Sequence, residues 1–498
     1  MDQKYQLYVQ KMQQIMDLQA SIAVLSWDKE VNMPAKGARH RGQQVATLSA
    51  LSHEKMTDPT LEELVNELFE QRAKLAAIPA KNVERSWESL QRVKKLDEDF
   101  VRRRSLTVSE AYHGWLKARE ENSFQTFQPH LEALLTIKRE EADRQGYEDH
   151  PYDALLEEFE PGARVAQLDQ LFGGVREHLT GFARKIRERA PLEDKFLYQN
   201  YPNQKQWDFG LTLLENMGYD FEAGRQDKSP HPFTINFSSE DVRVTTMIRE
   251  NNFSVMTWSC LHEGGHALYE QGLPVDQYGL PCGKYTSLGI HESQSRLWEN
   301  HVGRSYPYWQ AHFNRLRSIL PDQLAKVDAR QFYQGINKVM PGKIRIEADE
   351  LHYHFHVLIR YELEKAMISG ELPVSALEEA WNQKYRDYLD VTVEHPNEGV
   401  LQDIHWAHGS VGYFPTYSLG SFYAAQFYAT AKREIPELEA QIADGKNGKL
   451  LQWLRENIHK HGHFYQAEEL CERVTGQFLH YDYFRAYVEE KYGELYDL

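Results

Sequence analysis

Leu261-His262-Glu263-Gly264-Gly265-His266-Ala267-Leu268-Tyr269 decides how this chain is read, because it sets two imidazoles one helical turn apart with a carboxylate beside the first. Residues four apart share one face of an α-helix, so His262 and His266 can point at a single cation while Glu263 turns toward a water held there. A metal ion lowers the pKa of such a water, and Glu263 is placed to take its proton. With 22 histidines and ordinary Glu usage, about 0.1 chance matches to H-E-x-x-H are expected in a chain this long, so the pattern needs a third ligand. Gly264 and Gly265 each cost about 1 kcal/mol relative to alanine inside a helix, which predicts another element packed tightly on this turn. The third ligand's helix and the hairpin ending near Ile248 are the expected neighbours.

A catalytic zinc takes three protein ligands and keeps one position open. Glu292, in Gly289-Ile290-His291-Glu292-Ser293-Gln294-Ser295-Arg296, is the chosen third donor, since Gly272, Gly279, Pro281 and Gly283 can reverse the chain and bring a second helix alongside the first. Glu270, one turn beyond His266, and His291 are the rivals. Glu299, two turns after Glu292 on the same face, is expected either to orient a ligating histidine or to form a solvated salt bridge.

Further out, the N-terminal third reads as successive helices. Leu61, Leu64, Val65, Leu68, Phe69 and Leu75 follow helical spacing behind a capping box of Thr60 and Glu63. A second run passes through Val83, Trp87, Leu90, Val93, Lys94 and Phe100, and Arg102-Arg103-Arg104 reads as a solvated helix face. Ser26-Trp27-Asp28 through Met33-Pro34 and Gly37 reads as a loop between helices. Pro151 to Gly162 ends in a helix stop, and helical periodicity resumes from Leu168 to Phe182. Thr234-Ile235-Asn236-Phe237 and Val242 to Ile248, separated by Ser-Ser-Glu-Asp, predict an antiparallel hairpin just before the metal helix. An edge strand there can hold an extended peptide by main-chain hydrogen bonds. Helical pattern returns beyond, including Leu450 to Ile458 and Phe484 to Tyr492. The expected class is mainly α: one large helical domain over 1–498, with a helical N-terminal part (1–217), a metal and substrate region (218–420) and C-terminal helices (421–498).

Composition narrows the partners. The chain's 498 residues are 41% hydrophobic and 26% charged, with a formal net charge of −17, which argues for a globular protein and against nucleic-acid or anionic-membrane partners. The longest apolar patch, Ile22 to Trp27, is far short of a membrane span. Met1 to Gln6 lacks an apolar signal core, so a cytoplasmic location is expected. Three widely spaced cysteines, Cys260, Cys282 and Cys471, fit a reducing compartment. Cys260 lies off the His262/His266 face and reads as a buried thiol.

Six motifs, in order, resemble the carboxypeptidase Taq family of zinc metallocarboxypeptidases: His231-Pro232-Phe233, Asp241-x-Arg243-x-Thr245, His262-Glu263-Gly264-Gly265-His266, His291-Glu292-Ser293-Gln294, Ile344-Arg345-x-x-Ala348-Asp349 and Gly399-x-x-Gln402-Asp403-x-His405-Trp406. The resemblance spans essentially the whole chain. It implies a soluble, mostly helical protein with a deep cleft, similar in architecture to angiotensin-converting enzyme and the oligopeptidases, and commonly a homodimer. It also implies zinc on His262, His266 and Glu292, with Glu263 as general base; cobalt suits the same ligands.

Peptide hydrolysis further requires donors where the oxyanion develops. His405 with Tyr413 is favoured, with Tyr417 as the substitute, because related helical peptidases use a His and a Tyr from this late region. A free C-terminal carboxylate calls for the planar fork of an arginine, Arg345 before Arg243, unless these pair with Asp349 and Asp241. Gln402 and His231 are expected against the peptide main chain or its carboxylate, and Phe233 in packing. The leading expectation is release of single C-terminal residues from peptides with broad specificity. An oligopeptidase or dipeptidase on the same scaffold is the alternative. A catalytically silent, zinc-stabilised scaffold is disfavoured by Glu263, because a purely structural site needs no base.

Overall fold

Apolar residues recur at helical spacing through most of the chain, and the computed structural model, which describes residues 2–498, accordingly holds twenty α-helices and one three-stranded sheet. The elements that bear on function are, in chain order, α1 (Asp2–Val31), α2 (Pro59–Glu70), α3 (Ala77–Lys94), α4 (Glu98–Glu121), α5 (Asn203–Met217), β1 (Gly224–Lys228), β2 (Thr234–Ser238), β3 (Asp241–Thr246), α6 (Phe253–Glu270), α7 (Leu288–Arg296), α8 (His352–Ser369) and α9 (Pro415–Glu434). They belong to two compact units, each built from three separated stretches: Met1–Gln91, Glu193–Ile336 and Tyr423–Leu479 in the first, Arg92–Leu192, Asn337–Phe422 and His480–Leu498 in the second.

Within the first unit, Leu61, Leu64, Val65 and Leu68 of α2 bury against Tyr8 and Ile15 of α1 and Val83 of α3, with Leu75 packed on the same cluster. The cap of α2 is Asp58, not Thr60: its carboxylate accepts from the Thr60 N–H at 2.9 Å, and Pro59 supplies the fixed φ of the first helical position. The run from Val83 to Phe100 is two helices. Asp97 accepts from the Phe100 N–H at 2.8 Å and starts α4 afresh. Ser26-Trp27-Asp28 is helical rather than looped, because Trp27 is buried beneath the guanidiniums of Arg225 and Arg243, 5.4 and 4.4 Å from its ring, and α1 persists to Val31. The arginine run after Phe100 is an ion-paired face, Arg103 reaching Asp99 and Glu140 and Arg104 reaching Glu141.

β2 and β3 form the antiparallel hairpin, with Thr234 opposite Val244 and Ile235 opposite Arg243. A third strand, β1, lies parallel to β3 and makes the order β1-β3-β2. Its sequence, Gly-Arg-Gln-Asp-Lys, carries no β-branched or aromatic residue, so pattern alone does not disclose it.

The two glycines of α6 decide how that helix is seated. A Cβ on Gly265 would lie 2.6 Å from the Gln294 carbonyl oxygen and from the Ser295 Cα, so α7 packs backbone to backbone there, as expected. Gly264 faces Leu214 and Met217 of α5 instead of the hairpin. α6 is thus pinned between two helices.

In the second unit, α8 is buried nearly all round and carries the polar residues His354, His356, Arg360 and Glu364 inside the core. No helix among the described residues is long and apolar enough to cross a membrane. All three cysteines are buried and free, and burial pushes the Cys260 thiol up to about 12.

Candidate active site

His262, His266 and Glu292 meet because α6 supplies two imidazoles on one face and the close α6–α7 approach at Gly265 brings the carboxylate over them. One donor atom from each lies within 4.8 Å of the others. Glu292 Oε2 is 3.5 Å from His262 Nε2 and 3.4 Å from His266 Nε2. Each Nδ1 is already occupied: His262 Nδ1 meets Glu299 Oε2 at 3.0 Å, and His266 Nδ1 meets the His291 carbonyl at 3.1 Å. Those partners leave both Nε2 atoms for a cation, so the donor set fits a divalent metal.

The carboxylates are themselves anchored. Arg296 Nε donates to Glu292 Oε1 at 2.6 Å, and Ser295 Oγ donates to Glu292 Oε2 at 3.0 Å. Burial alone would raise the Glu292 carboxyl, yet Arg296 and the two histidines hold it well below its ordinary range. Arg296 and Arg304 likewise clamp Glu299, on the π-helical stretch Leu297–Gly303 that prolongs α7. Glu263 is different. Burial raises its carboxyl, partly offset by His262 and by the Thr234 hydroxyl, which donates to Glu263 Oε2 at 2.7 Å. A carboxylate with a raised pKa beside a metal site is suited to accept a proton.

The other sequence-derived residues sort into two groups. In the first unit, His231 is exposed just before β2, Phe233 is half-buried, and Arg243 grips Asp241 through Nε and a terminal nitrogen, both at 2.8 Å. In the second unit, Arg345 is 5% exposed and gives Nε and one terminal nitrogen to Asp403 Oδ1 at 3.1 and 2.9 Å and the other to Tyr353 at 2.8 Å. Its partner is Asp403, whose second oxygen takes Arg360, while Asp349 accepts from the Leu351 and His352 N–H groups at the start of α8. Gln402 accepts from the Arg345 N–H and donates to the Lys343 and Glu398 carbonyls, so both ends of its amide brace the chain. His405, Tyr413 and Tyr417 do cluster: His405 Nε2 is 3.2 Å from the Tyr417 hydroxyl, and the Tyr413 ring is 5.3 Å from the imidazole. Burial lowers the His405 imidazole to about 4 despite the opposing charge of Asp403, which keeps it neutral near pH 7.

The sequence pattern described as carboxypeptidase Taq (M32) metallopeptidase matches residues 7–492. The chain belongs to this carboxypeptidase family. Thermostable carboxypeptidase 1 of Thermus thermophilus is 41% identical over 488 residues, covering 95% of each chain. Among solved structures, that of CHT is 52% identical with a TM-score of 0.97, covering 98% of this chain and 99% of the other. The M32 carboxypeptidase from Deinococcus radiodurans R1 superposes with a TM-score of 0.97 at 36% identity over all of both chains. This member of the carboxypeptidase Taq family is a metallocarboxypeptidase and a peptide hydrolase. Thr234, Arg296 and Arg304, which hold Glu263, Glu292 and Glu299, are not singled out by sequence. Only Arg296 left a signal, its position four residues after Glu292.

Proposed function

We propose that this metallocarboxypeptidase is a zinc enzyme that removes single residues from peptide C-termini with broad specificity, with His262, His266 and Glu292 holding the metal. The observation that carries the reading is the convergence of those three donors beside Glu263. A bound zinc or cobalt ion would polarise the scissile carbonyl and acidify water. Glu263 then takes the water proton and passes it to the leaving amine, while Thr234 holds the carboxylate in place. His405, with Tyr413 or Tyr417, would donate to the oxyanion; its neutral imidazole and the Tyr417 contact support that role.

The peptide is proposed to extend along β2. Thr245 donates to the Phe233 carbonyl at 2.9 Å, so antiparallel alternation turns the N–H and C=O groups of Thr234 and Asn236 to the outer edge. His231 sits at the start of that strand, free to meet the chain. Arg345 and Arg243 remain the proposed anchors for the terminal carboxylate, each requiring it to compete with an aspartate already in the fork. Gln402 would act through Arg345 by bracing its backbone. A cytoplasmic location is supported by the three unpaired cysteines, and a homodimer by the family resemblance.

Two experiments test this reading. Hydrolysis of a peptide and of its C-terminal amide should differ by orders of magnitude, each turnover releasing one residue by mass spectrometry; equal rates, or internal fragments, would favour the oligopeptidase alternative. Glu263→Gln should retain metal and lose about 10²-fold or more in kcat.

A further inference from the structure

The two ligating histidines are oriented by different means. His262 Nδ1 meets a carboxylate directly, Glu299, at 3.0 Å. His266 Nδ1 instead lies 2.5 Å from His291 Nδ1 and 3.1 Å from the His291 carbonyl. The far nitrogen of that second imidazole, His291 Nε2, is 2.8 Å from Glu270 Oε1, and the remaining oxygen, Glu270 Oε2, accepts from Asn236 Nδ2 at 2.6 Å. Glu270 is 3% exposed, and the Tyr285 ring stands edge-on over His291 at 5.0 Å.

The order of protons along this chain follows from donor and acceptor chemistry. An ionised carboxylate only accepts, so His291 Nε2 carries the hydrogen that points at Glu270. A neutral His291 then has a lone pair on Nδ1, and the short contact between the two Nδ1 atoms is a hydrogen bond only when His266 Nδ1 is the donor. The His291 carbonyl, also an acceptor, faces the same nitrogen and demands the same tautomer. His266 Nε2 is left with its lone pair directed to the side of Glu292 Oε2, 3.4 Å away.

We infer that Glu270, acting through His291, is a positioning residue that fixes the tautomer and orientation of His266 for metal binding, and that Asn236 on the edge strand holds Glu270 in place. Neither Glu270 nor His291 is then a ligand. Their place beside the site is accounted for by a carboxylate–imidazole–imidazole relay in which His291 carries the influence of a carboxylate too distant to touch His266. This inference rests on the proposed ligand set of His262, His266 and Glu292.

The test is zinc affinity, measured by titration against a competing chelator without any assay of turnover, on the wild type, Glu270→Ala, Glu270→Gln, Asn236→Ala and Glu292→Ala. Loss of an outer partner of a metal-bound histidine weakens binding about 10- to 100-fold, and Glu270→Ala should fall in that range. Glu270→Gln keeps an acceptor for His291 and should recover most of the affinity, while Asn236→Ala should show a smaller loss than Glu270→Ala. Melting temperatures of the metal-free variants should stay near the wild-type value, which separates orientation of a ligand from a general loss of packing. Wild-type zinc affinity in folded Glu270→Ala and Glu270→Gln would overturn the relay. Glu292→Ala reports on the ligand set separately: it should bind zinc far more weakly than any other variant, and wild-type affinity there would overturn the reading on which the relay rests.

Discussion

Thr234 shows how a single side chain ties the sheet to the chemistry. Its hydroxyl donates to both the carbonyl and the Oε2 of Glu263, at 2.9 and 2.7 Å, so the proposed base is held from a strand 29 residues upstream. Hydrogen bonds to charged groups are worth about 1.5–3 kcal/mol, so Thr234→Val, which keeps the shape and removes the donor, should lower kcat/KM by roughly 10- to 100-fold. Steady-state kinetics on a short peptide decides it, and an unchanged kcat/KM would remove Thr234 from the machinery. At this scale legibility followed sequence distance. His262, Glu263 and His266 are read together from helical spacing, and Glu292 is chosen over Glu270 and His291 from the need for a third ligand. Thr234–Glu263 and Asn236–Glu270 join residues 29 and 34 positions apart, and no local pattern encodes such contacts. Arg345 shows the converse: its motif was visible, but only coordinates reveal that Asp403, rather than Asp349, fills its fork.

Helix α6 could bind a metal only if α7 came close enough to deliver Glu292. The space is made by Gly265, where an added Cβ would meet backbone atoms of Gln294 and Ser295 at 2.6 Å. Backbone cannot swing aside as a side chain can, so Gly265→Ala forces the helices apart. Overpacking of this kind costs about 1–3 kcal/mol, and zinc affinity should drop as Glu292 is carried away with α7. Gly264→Ala meets the flexible ends of Leu214 and Met217 and should be milder on both counts. Melting curves and chelator titrations on the pair check the order; a Gly265→Ala protein that binds zinc like the wild type would break the link between helix spacing and the site. Sequence announced this packing because two helical glycines are costly, but it could not name both neighbours. Elsewhere, element boundaries escaped where tertiary contacts overrode local propensity. α1 runs through Ser26-Trp27-Asp28 because Trp27 is buried beneath two neighbouring arginines of the sheet, and β1 exists because β3 offers it hydrogen bonds.

Stability of the whole molecule against pH carries a signature from the second unit. Glu364, wholly buried in α8, accepts from the Tyr152 hydroxyl at 2.5 Å, the Trp406 indole at 2.6 Å and the Gly412 N–H at 2.9 Å, so it ties two ends of the segment between His405 and Tyr413 to the core. Burial raises its carboxyl from 4.5 to about 7, against the pull of those donors and of Arg360. A carboxyl that holds its proton more tightly when folded than when unfolded contributes stability that is fully present below pH 4.5 and is lost as the pH climbs through about 7. The difference between those two values corresponds to roughly 3 kcal/mol. Most acids titrate the other way, stabilising the fold as they ionise, so the net profile of a chain with 74 acidic residues does not isolate the effect. The comparison with Glu364→Gln does. An amide has no proton to lose, so the variant bears a constant penalty for its altered hydrogen bonds while the wild type bears one that grows with pH. Urea unfolding at pH 5 and at pH 7.5 should therefore show the wild type losing roughly 2 kcal/mol more than the variant across that interval, the remainder having been lost below pH 5. Parallel profiles would mean that Glu364 is ionised throughout and that its three donors outweigh its burial.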